Sequence, residues 1–159
     1  MPPRVYLETT ILSYLTSLPS RDVIVVAHQA ITHDWWDIRR TAFDLFTSQI
    51  VVDECEAGHP EAARRRLEAL SGIQLLDPTD DALTLAQELL SAGCIPTKAS
   101  ADAAHIALAT VHGMDYLLTW NCAHIANAEM RPRIARLASS RGYTLPGLCT
   151  PEELMGGDN

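Results

Sequence analysis

Short apolar runs that alternate with longer stretches of helical periodicity constrain the fold of this chain more than any other feature. Four runs are predicted to be strands, at residues 4–7, 49–52, 73–76 and 116–118. Residues 143–148 contain a proline, Pro146, and are predicted to form at most a weak edge strand. Because helical segments separate the strands, the pattern predicts an α/β fold with a mainly parallel sheet that is covered on both faces.

The longest helix is expected over residues 22–47, where apolar residues recur at helical spacing. These residues are Ile24, Ala27, Ile31, Trp35, Ile38, Ala42 and Leu45. Trp36 lies about a quarter turn from this stripe, either at the edge of the core or in a partner interface. Shorter helices are predicted at about residues 10–16, 60–71, 79–93, 98–112 and 126–141. Thr79 or Asp80 can cap the helix at 79–93, and Gly113 closes the helix at 98–112.

The length of 159 residues suits one domain, which we expect over residues 1–155 with a flexible tail at 156–159. No stretch approaches the ~20 consecutive apolar residues of a membrane span, and the first residues lack an apolar stretch of the signal-peptide type. A cytoplasmic protein is therefore expected. The cysteines are far apart in sequence, which favours reduced, mostly buried thiols over a disulfide scaffold or a zinc site. They are Cys55, Cys94, Cys122 and Cys149.

Oxygen-bearing side chains follow three of the predicted strands. Glu8, Thr9 and Thr10 follow the first; Asp53 and Glu54 follow the second; Thr119, Trp120 and Asn121 follow the fourth. Asp102 lies near the start of the helix before the fourth strand. In a parallel sheet these groups converge at the carboxyl edge, where ligands bind. Hard oxygen donors of this kind favour Mg²⁺ or Mn²⁺ over zinc, and such a cation can activate a water molecule for attack on a phosphodiester.

Each acid also has a purely structural interpretation. Glu8 could cap the first short helix, and Asp53 could cap the next one, the role we favour for it. Asp102 lies in the first turn of its helix, where the helix dipole favours a carboxylate. His105, one turn later on a mostly apolar helix, is interpreted as a hydrogen-bonded core residue and not as a base.

The net charge of −8 limits how this chain could approach a nucleic acid. An acidic protein is not drawn to a phosphate backbone by its overall field. Contacts with RNA would therefore be local, or would depend on metal ions that mask the carboxylates.

Four segments, in order, resemble the motifs of PIN domains, and in particular the VapC-like ribonuclease toxins. They are Val5-Tyr6-Leu7-Glu8-Thr9-Thr10, Val51-Val52-Asp53-Glu54-Cys55-Glu56-Ala57-Gly58, Ala101-Asp102-Ala103-Ala104-His105-Ile106-Ala107, and Tyr116-Leu117-Leu118-Thr119-Trp120-Asn121. The resemblance implies a three-layer α/β/α sandwich with a central parallel sheet. It also implies a divalent-metal site and endonucleolytic cleavage of RNA. Many members are bacterial toxins that form homodimers and are inhibited by a separately encoded antitoxin.

Carried over residue by residue, the resemblance makes Glu8, Glu54 and Asp102 the acidic metal-binding set, with Asn121 in the fourth position. Thr9, Thr10 and Thr119 would hydrogen-bond the ligand carboxylates, and Asp53 and His124 are further candidates. The sequence departs from the family pattern in two places. Glu8 stands where Asp is usual, and the fourth position is an amide, with His124 three residues later. We therefore expect one firm metal site and a second that fills only with substrate.

Two other classes of function are alternatives to the nuclease. A catalytically degenerate PIN-like binding module would retain the fold without the metal, and the residues at positions 8 and 121 motivate it. A phosphatase or receiver domain would need an Asp-x-Asp motif after the first strand, or a lysine after the last one. The only lysine is Lys98, and no glycine-rich phosphate loop is present.

Overall fold

A sheet of five parallel strands forms the centre of the computed structural model, which describes residues 1–157. Its strands are β1 (Arg4–Leu7), β2 (Asp44–Ser48), β3 (Gln74–Leu76), β4 (Tyr116–Leu118) and β5 (Gly147–Cys149). Their order is β3-β2-β1-β4-β5, so β1 is central. Val5, Tyr6 and Leu7 are all fully buried although successive side chains point to opposite faces, so both faces of β1 are covered. This confirms the predicted α/β fold with a parallel sheet between helical layers.

The helices form two packed groups around the sheet. They are α1 (Thr9–Thr16), α2 (Val23–Asp34), α3 (Gln49–Glu56), α4 (Pro60–Leu70), α5 (Asp80–Ser91), α6 (Ser100–Val111) and α7 (Arg131–Ser140). Short 3₁₀ turns lie at Arg40–Ala42, Thr97–Ala99 and Pro151–Leu154. Helix α1 packs against α2, α3 and α4, while α5 packs against α6 and α7.

The long helix predicted over residues 22–47 is wrong. Helix α2 ends at Asp34, a π-helical turn follows at Trp35–Arg39, and the chain then enters β2. The apolar stripe is not buried as a unit, because Ile24 and Ile38 are each 67% exposed. Residues 44–48 become a strand because they pair with β1 in parallel register, a tertiary interaction that overrides the local helical spacing.

The second strand, predicted at residues 49–52, is also wrong, because this segment is the first part of α3. Ser48 is the N-cap of that helix, and its Oγ accepts a hydrogen bond of 3.3 Å from the Val51 N–H. Asp53 and Glu54 therefore lie inside a helix, and the capping role expected of Asp53 is contradicted.

The other elements agree with prediction to within a few residues, except that α7 begins at Arg131 and not near 126. Asn127 accounts for the late start, because its Oδ1 accepts from the N–H groups of Glu129 and Met130 in a turn before the helix. Thr79 caps α5 as expected. Gly113 ends α6 at φ +69°, a conformation that favours glycine.

The structure also bears on the predictions about membrane spans, cysteines and domain bounds. Among residues 1–157, no helix is both long and apolar enough to cross a membrane. All four cysteines are free; Cys122 is exposed and the other three are buried. The single domain over residues 1–155 stays a prediction, and the last two residues of the predicted tail, Asp158 and Asn159, lie outside the described residues.

Candidate metal and nuclease site

The carboxyl ends of β1 and β4 bring the first and fourth sequence motifs together. The Glu8 N–H donates to the Leu118 carbonyl at 3.1 Å, which continues the pairing of the two strands by one residue. Thr119 follows Leu118 and donates in turn to the Cys149 carbonyl of β5 through its N–H, at 2.9 Å. Glu8 and Thr119 are therefore neighbours at the sheet edge where parallel α/β proteins bind ligands.

Glu8 is a buried carboxylate with hydrogen-bond donors on one of its oxygens. It is the N-cap of α1, and its Oε1 accepts from the Thr10 N–H at 3.2 Å and from the Thr119 Oγ1 hydroxyl at 2.6 Å. The Thr10 hydroxyl donates to the same oxygen. Both threonine hydroxyls also accept a backbone N–H, from Trp120 to Thr10 at 2.8 Å and from Asn121 to Thr119 at 2.9 Å. Only 4% of Glu8 is exposed, so these donors compensate for the lost solvation of its charge.

Glu54 reaches the same region from α3 and is held by two donors. Its Oε1 accepts from the Thr9 hydroxyl at 2.6 Å and from His105 Nε2 at 2.7 Å. Burial raises the pKa of the Glu54 carboxyl, but the hydrogen bonds from His105 and Thr9 outweigh it and leave the pKa below its usual value. Glu54 is therefore ionised at neutral pH.

Asp102 and Asn121 are connected through His124. The Asp102 Oδ2 lies 3.0 Å from His124 Nδ1, and the His124 backbone N–H donates to the Asn121 Oδ1, also at 3.0 Å. The amide oxygen that would coordinate a ligand from the fourth position is thus already an acceptor within its own turn. It retains a second lone pair for any ligand.

Two other acids lie away from this edge. The Asp53 side chain is exposed on α3, and its Oδ1 accepts from Gln49 Nε2 at 2.9 Å, one helical turn away. Asp115 precedes β4, and its Oδ2 accepts from the Arg4 N–H at 2.8 Å at the opposite end of the sheet. Asp53 therefore does not join the candidate site.

Sequence reasoning missed the residues that support Glu54 from beneath. His105 is fully buried, as interpreted, but its Nδ1 lies 2.6 Å from the Tyr6 hydroxyl while Nε2 contacts Glu54. The Tyr6 hydroxyl also lies 2.7 Å from Ser48 Oγ. Position 105 falls one helical turn after Asp102, and that spacing was the only sign in the sequence that it faces the site.

Each of the three candidate carboxylates is held through a single oxygen. Glu8 and Glu54 accept through Oε1 and Asp102 through Oδ2, while the second oxygen of each has no hydrogen-bond donor within residues 1–157. In that part of the chain, no three His, Cys, Asp or Glu side chains are grouped so that they could hold one metal ion. The acids thus occupy separate hydrogen-bonded settings at one sheet edge.

The electrostatic field at this edge is negative. Burial raises the pKa of the Cys55 thiol to about 11, with Arg66 opposing the rise and both Glu54 and Glu8 adding to it. Burial likewise raises the pKa of Tyr6, and the same two glutamates contribute. The two carboxylates therefore act together on neighbouring ionisable groups.

Comparisons with known proteins identify the family of this chain. The family model described as PIN domain matches residues 5–121, well over half of the chain. No curated protein sequence matches this chain. Among solved structures, VapBC2 from Rickettsia felis, bound to a DNA fragment from its promoter, is 19% identical with a TM-score of 0.54. The match covers 74% of this chain and 88% of that one. VapBC-5 from Mycobacterium tuberculosis, a member of the VapBC family of toxin–antitoxin systems, is 16% identical with a TM-score of 0.46, over 76% of this chain and 86% of that one.

Proposed function

Since this chain belongs to the PIN-domain family, we propose that it is a divalent-metal-dependent endoribonuclease and the toxin of a toxin–antitoxin pair. One observation carries the proposal. Three carboxylates from β1, α3 and α6 lie at the carboxyl edge of the sheet, and each has one oxygen fixed by donors and one oxygen uncommitted. These second oxygens are not buried, because the buried side-chain N and O atoms without a partner in residues 1–157 are only Trp35 Nε1 and Arg131 Nε, so a cation can reach them from solvent.

The donor chemistry fits Mg²⁺ or Mn²⁺, which prefer carboxylate and water oxygens. Glu8, Glu54 and Asp102 would hold the cation through their uncommitted oxygens, and Asn121 would supply a neutral oxygen beside them. Because these side chains are not yet grouped around one point, binding would draw them together. When bound, such a cation polarises a phosphate oxygen and lowers the pKa of a coordinated water.

The chain's own residues prepare the carboxylates for this role. The hydroxyls of Thr10 and Thr119 fix Glu8, while Thr9 and His105 fix Glu54. Hydrogen bonds of this kind orient ligand carboxylates in metal sites generally. We assign the three threonines and His124 as supporting groups, and we leave Asp53 outside the site.

An antitoxin partner and a homodimer belong to the same proposal. The similar Rickettsia felis structure is of a VapBC assembly, and this chain presents apolar surface that a partner could cover. Leu18, Val23 and Ile24 are 75%, 79% and 67% exposed around the start of α2. The carboxylate edge would complement an arginine from an antitoxin.

A binding module that has lost catalysis is the second candidate. The Asn121 amide oxygen is occupied by the His124 N–H, so the fourth position contributes neither charge nor a fully free acceptor. A protein of this kind would keep the fold and need no metal.

The test is cleavage of a mixed RNA pool by purified protein, free of antitoxin, with Mg²⁺ or Mn²⁺ or with EDTA. Asp102→Asn is the inactivating variant. Asp53→Asn is the matched control, because Asp53 is an exposed acid on the same helix as Glu54 but outside the site, and within residues 1–157 its side chain hydrogen-bonds only to Gln49. Cleavage that requires the cation and Asp102 but not Asp53 supports the nuclease. Equal cleavage by the Asp102 variant would refute the site, and an intact fold that neither cleaves RNA nor binds metal would favour the binding module.

A further inference from the structure

His105 occupies the point where three elements of the fold meet beneath the candidate site. It lies on α6, contacts Tyr6 of β1 through Nδ1 and contacts Glu54 of α3 through Nε2. The imidazole is fully buried, and both ring nitrogens are engaged at 2.6 and 2.7 Å. An ionisable side chain at such a position is fixed by its partners and is not free to rotate.

The directions of these hydrogen bonds follow from the chemistry of the groups. An ionised Glu54 can only accept, so His105 Nε2 carries the proton and donates. In the neutral ring Nδ1 is then an acceptor, and the Tyr6 hydroxyl donates to it. The Tyr6 oxygen in turn accepts from the Ser48 hydroxyl at 2.7 Å, and Ser48 Oγ accepts from the Val51 N–H at 3.3 Å.

The result is a chain of hydrogen bonds that runs in one direction from the N-terminus of α3 to the carboxylate near its C-terminus. Ser48 caps the helix that carries Glu54, and it also begins the series that ends on the Glu54 side chain. Every member is buried apart from Glu54, whose side chain is 37% exposed. The series therefore connects the placement of α3 with the orientation of its one site carboxylate.

We propose that His105, oriented by Tyr6 and Ser48, is a positioning residue that fixes Glu54 Oε1 and leaves Oε2 free for the metal. This inference rests on the proposed function, because it assigns a role toward the cation that the carboxylates would hold. Replacement of a group that orients a metal ligand typically weakens metal binding by about 10–100-fold. His105 itself does not touch substrate or metal in this assignment.

The experiment measures Mn²⁺ binding to the full-length, metal-free protein by calorimetry, alongside RNA cleavage as a function of Mn²⁺ concentration. His105→Leu removes the donor to Glu54. His105→Gln keeps an N–H near the position of Nε2, and we expect it to restore most of the binding. His112→Leu is the matched control, since His112 follows the same helix but contacts the Asp77 carbonyl at 2.7 Å, away from the site.

For His105→Leu we expect Mn²⁺ binding at least about tenfold weaker than in the wild type, with cleavage recovered at high Mn²⁺ concentration. A purely structural role would lower thermal stability without this selective shift in metal dependence. Tyr6→Phe serves if the leucine variant does not fold. It removes the hydroxyl that contacts both His105 Nδ1 and Ser48 Oγ. The loss of the bond to His105 predicts roughly two- to tenfold weaker binding. Tyr14→Phe is its control, because Tyr14 lies in an aromatic cluster with His28 and Trp120.

A second readout needs no metal. In the wild type, long-range ¹⁵N NMR of His105 should show a proton on Nε2, and Tyr6→Phe should change the state of Nδ1. A folded His105→Leu protein that binds Mn²⁺ as tightly as the wild type would overturn the positioning role alone. A wild type that binds no Mn²⁺ would overturn the proposed function, and this inference with it.

Discussion

Thr119→Val tests whether the hydrogen bonds around Glu8 hold the carboxylate edge together before any cation is present. Thr119 is fully buried, and valine is close to it in shape, so the substitution removes a hydroxyl without opening a cavity. Two short hydrogen bonds disappear with that hydroxyl, in addition to a long contact of 3.4 Å with Thr10 Oγ1. One is the 2.6 Å bond donated to Glu8, and the other is the 2.9 Å bond accepted from the Asn121 N–H.

The size of the effect can be worked out from these two contacts. A hydrogen bond to a charged group contributes about 1.5–3 kcal/mol. Asn121 is only partly buried, so water can replace its lost acceptor, and that N–H adds at most about 1 kcal/mol. We therefore expect the free energy of unfolding to fall by roughly 2–4 kcal/mol in the presence of EDTA.

Thr110→Val is the matched control for this prediction. Thr110 is also buried, with 2% exposed, but its hydroxyl donates to the Ile106 carbonyl within α6, which already serves the helix. Its removal should cost under about 1 kcal/mol. Urea unfolding followed by circular dichroism compares the two variants. If Thr119→Val lies within about 0.5 kcal/mol of Thr110→Val, the threonine hydroxyl does not stabilise Glu8 and the reasoning is refuted.

Three further predictions concern regions outside the carboxylate edge. Burial raises the pKa of the Cys55 and Cys149 thiols to about 11 and about 12, above the value near 9 of an unfolded cysteine. Above pH 9 the thiols ionise in the unfolded state before they do so in the folded state, so the free energy of unfolding should fall as the pH rises. Cys149→Ala should make that fall less steep in urea titrations at pH 8–11. An unchanged slope would contradict the assignment. Asn127→Ala removes the acceptor for two backbone N–H groups before α7 and should cost about 1 kcal/mol in thermal unfolding, whereas no loss would mean that water replaces it. Ile24→Ser should change the free energy of unfolding of the monomer by less than about 0.5 kcal/mol, since the side chain is 67% exposed. If this surface is an interface, the substitution should reduce self-association in sedimentation experiments. Unchanged association would exclude Ile24 from the interface.

The parts of the fold that sequence predicted well are those that local chemistry determines. The strands at Arg4–Leu7 and Tyr116–Leu118 are short apolar runs bounded by polar residues, and both ends are recovered. The Thr79 cap and the glycine after α6 likewise act within a few residues. In each of these cases, the residues that determine the element lie within it or directly beside it in the sequence.

The failures have a non-local cause. Asp44–Ser48 is a strand because it pairs with β1 about forty positions earlier, and nothing in the residues themselves outweighs the helical spacing around them. Once that strand is misplaced, Ser48 cannot be recognised as the cap of α3, and Asp53 is given a role that Ser48 performs. The contact between His105 and Glu54 was hidden for the same reason, since it joins residues on two different helices.

The motif Glu8-Thr9-Thr10 shows why the candidate site depends on local sequence and distant contacts together. Thr9 and Thr10 are consecutive residues in the first turn of α1, so their side chains point about 100° apart. Thr9 donates to Glu54 on one side, and Thr10 donates to Glu8 on the other. The first turn of α1 thereby connects the hydrogen bonds around Glu8 with those around Glu54.

Helix α6 connects the same two groups a second time. Asp102 contacts His124, whose backbone N–H donates to Asn121 and so reaches the network of Thr119 and Glu8. One turn later on the same helix, His105 contacts Glu54. The acids thus belong to two hydrogen-bonded groups, one with Glu8 and Asp102 and one with Glu54, and α1 and α6 each contribute residues to both. The negative charge of each group opposes a closer approach. Within residues 1–157, Glu54 and Asp102 pair only with the histidines His105 and His124, and none of the three carboxylates forms a salt bridge to a lysine or an arginine. The divalent cation that we propose for this edge would balance their charge.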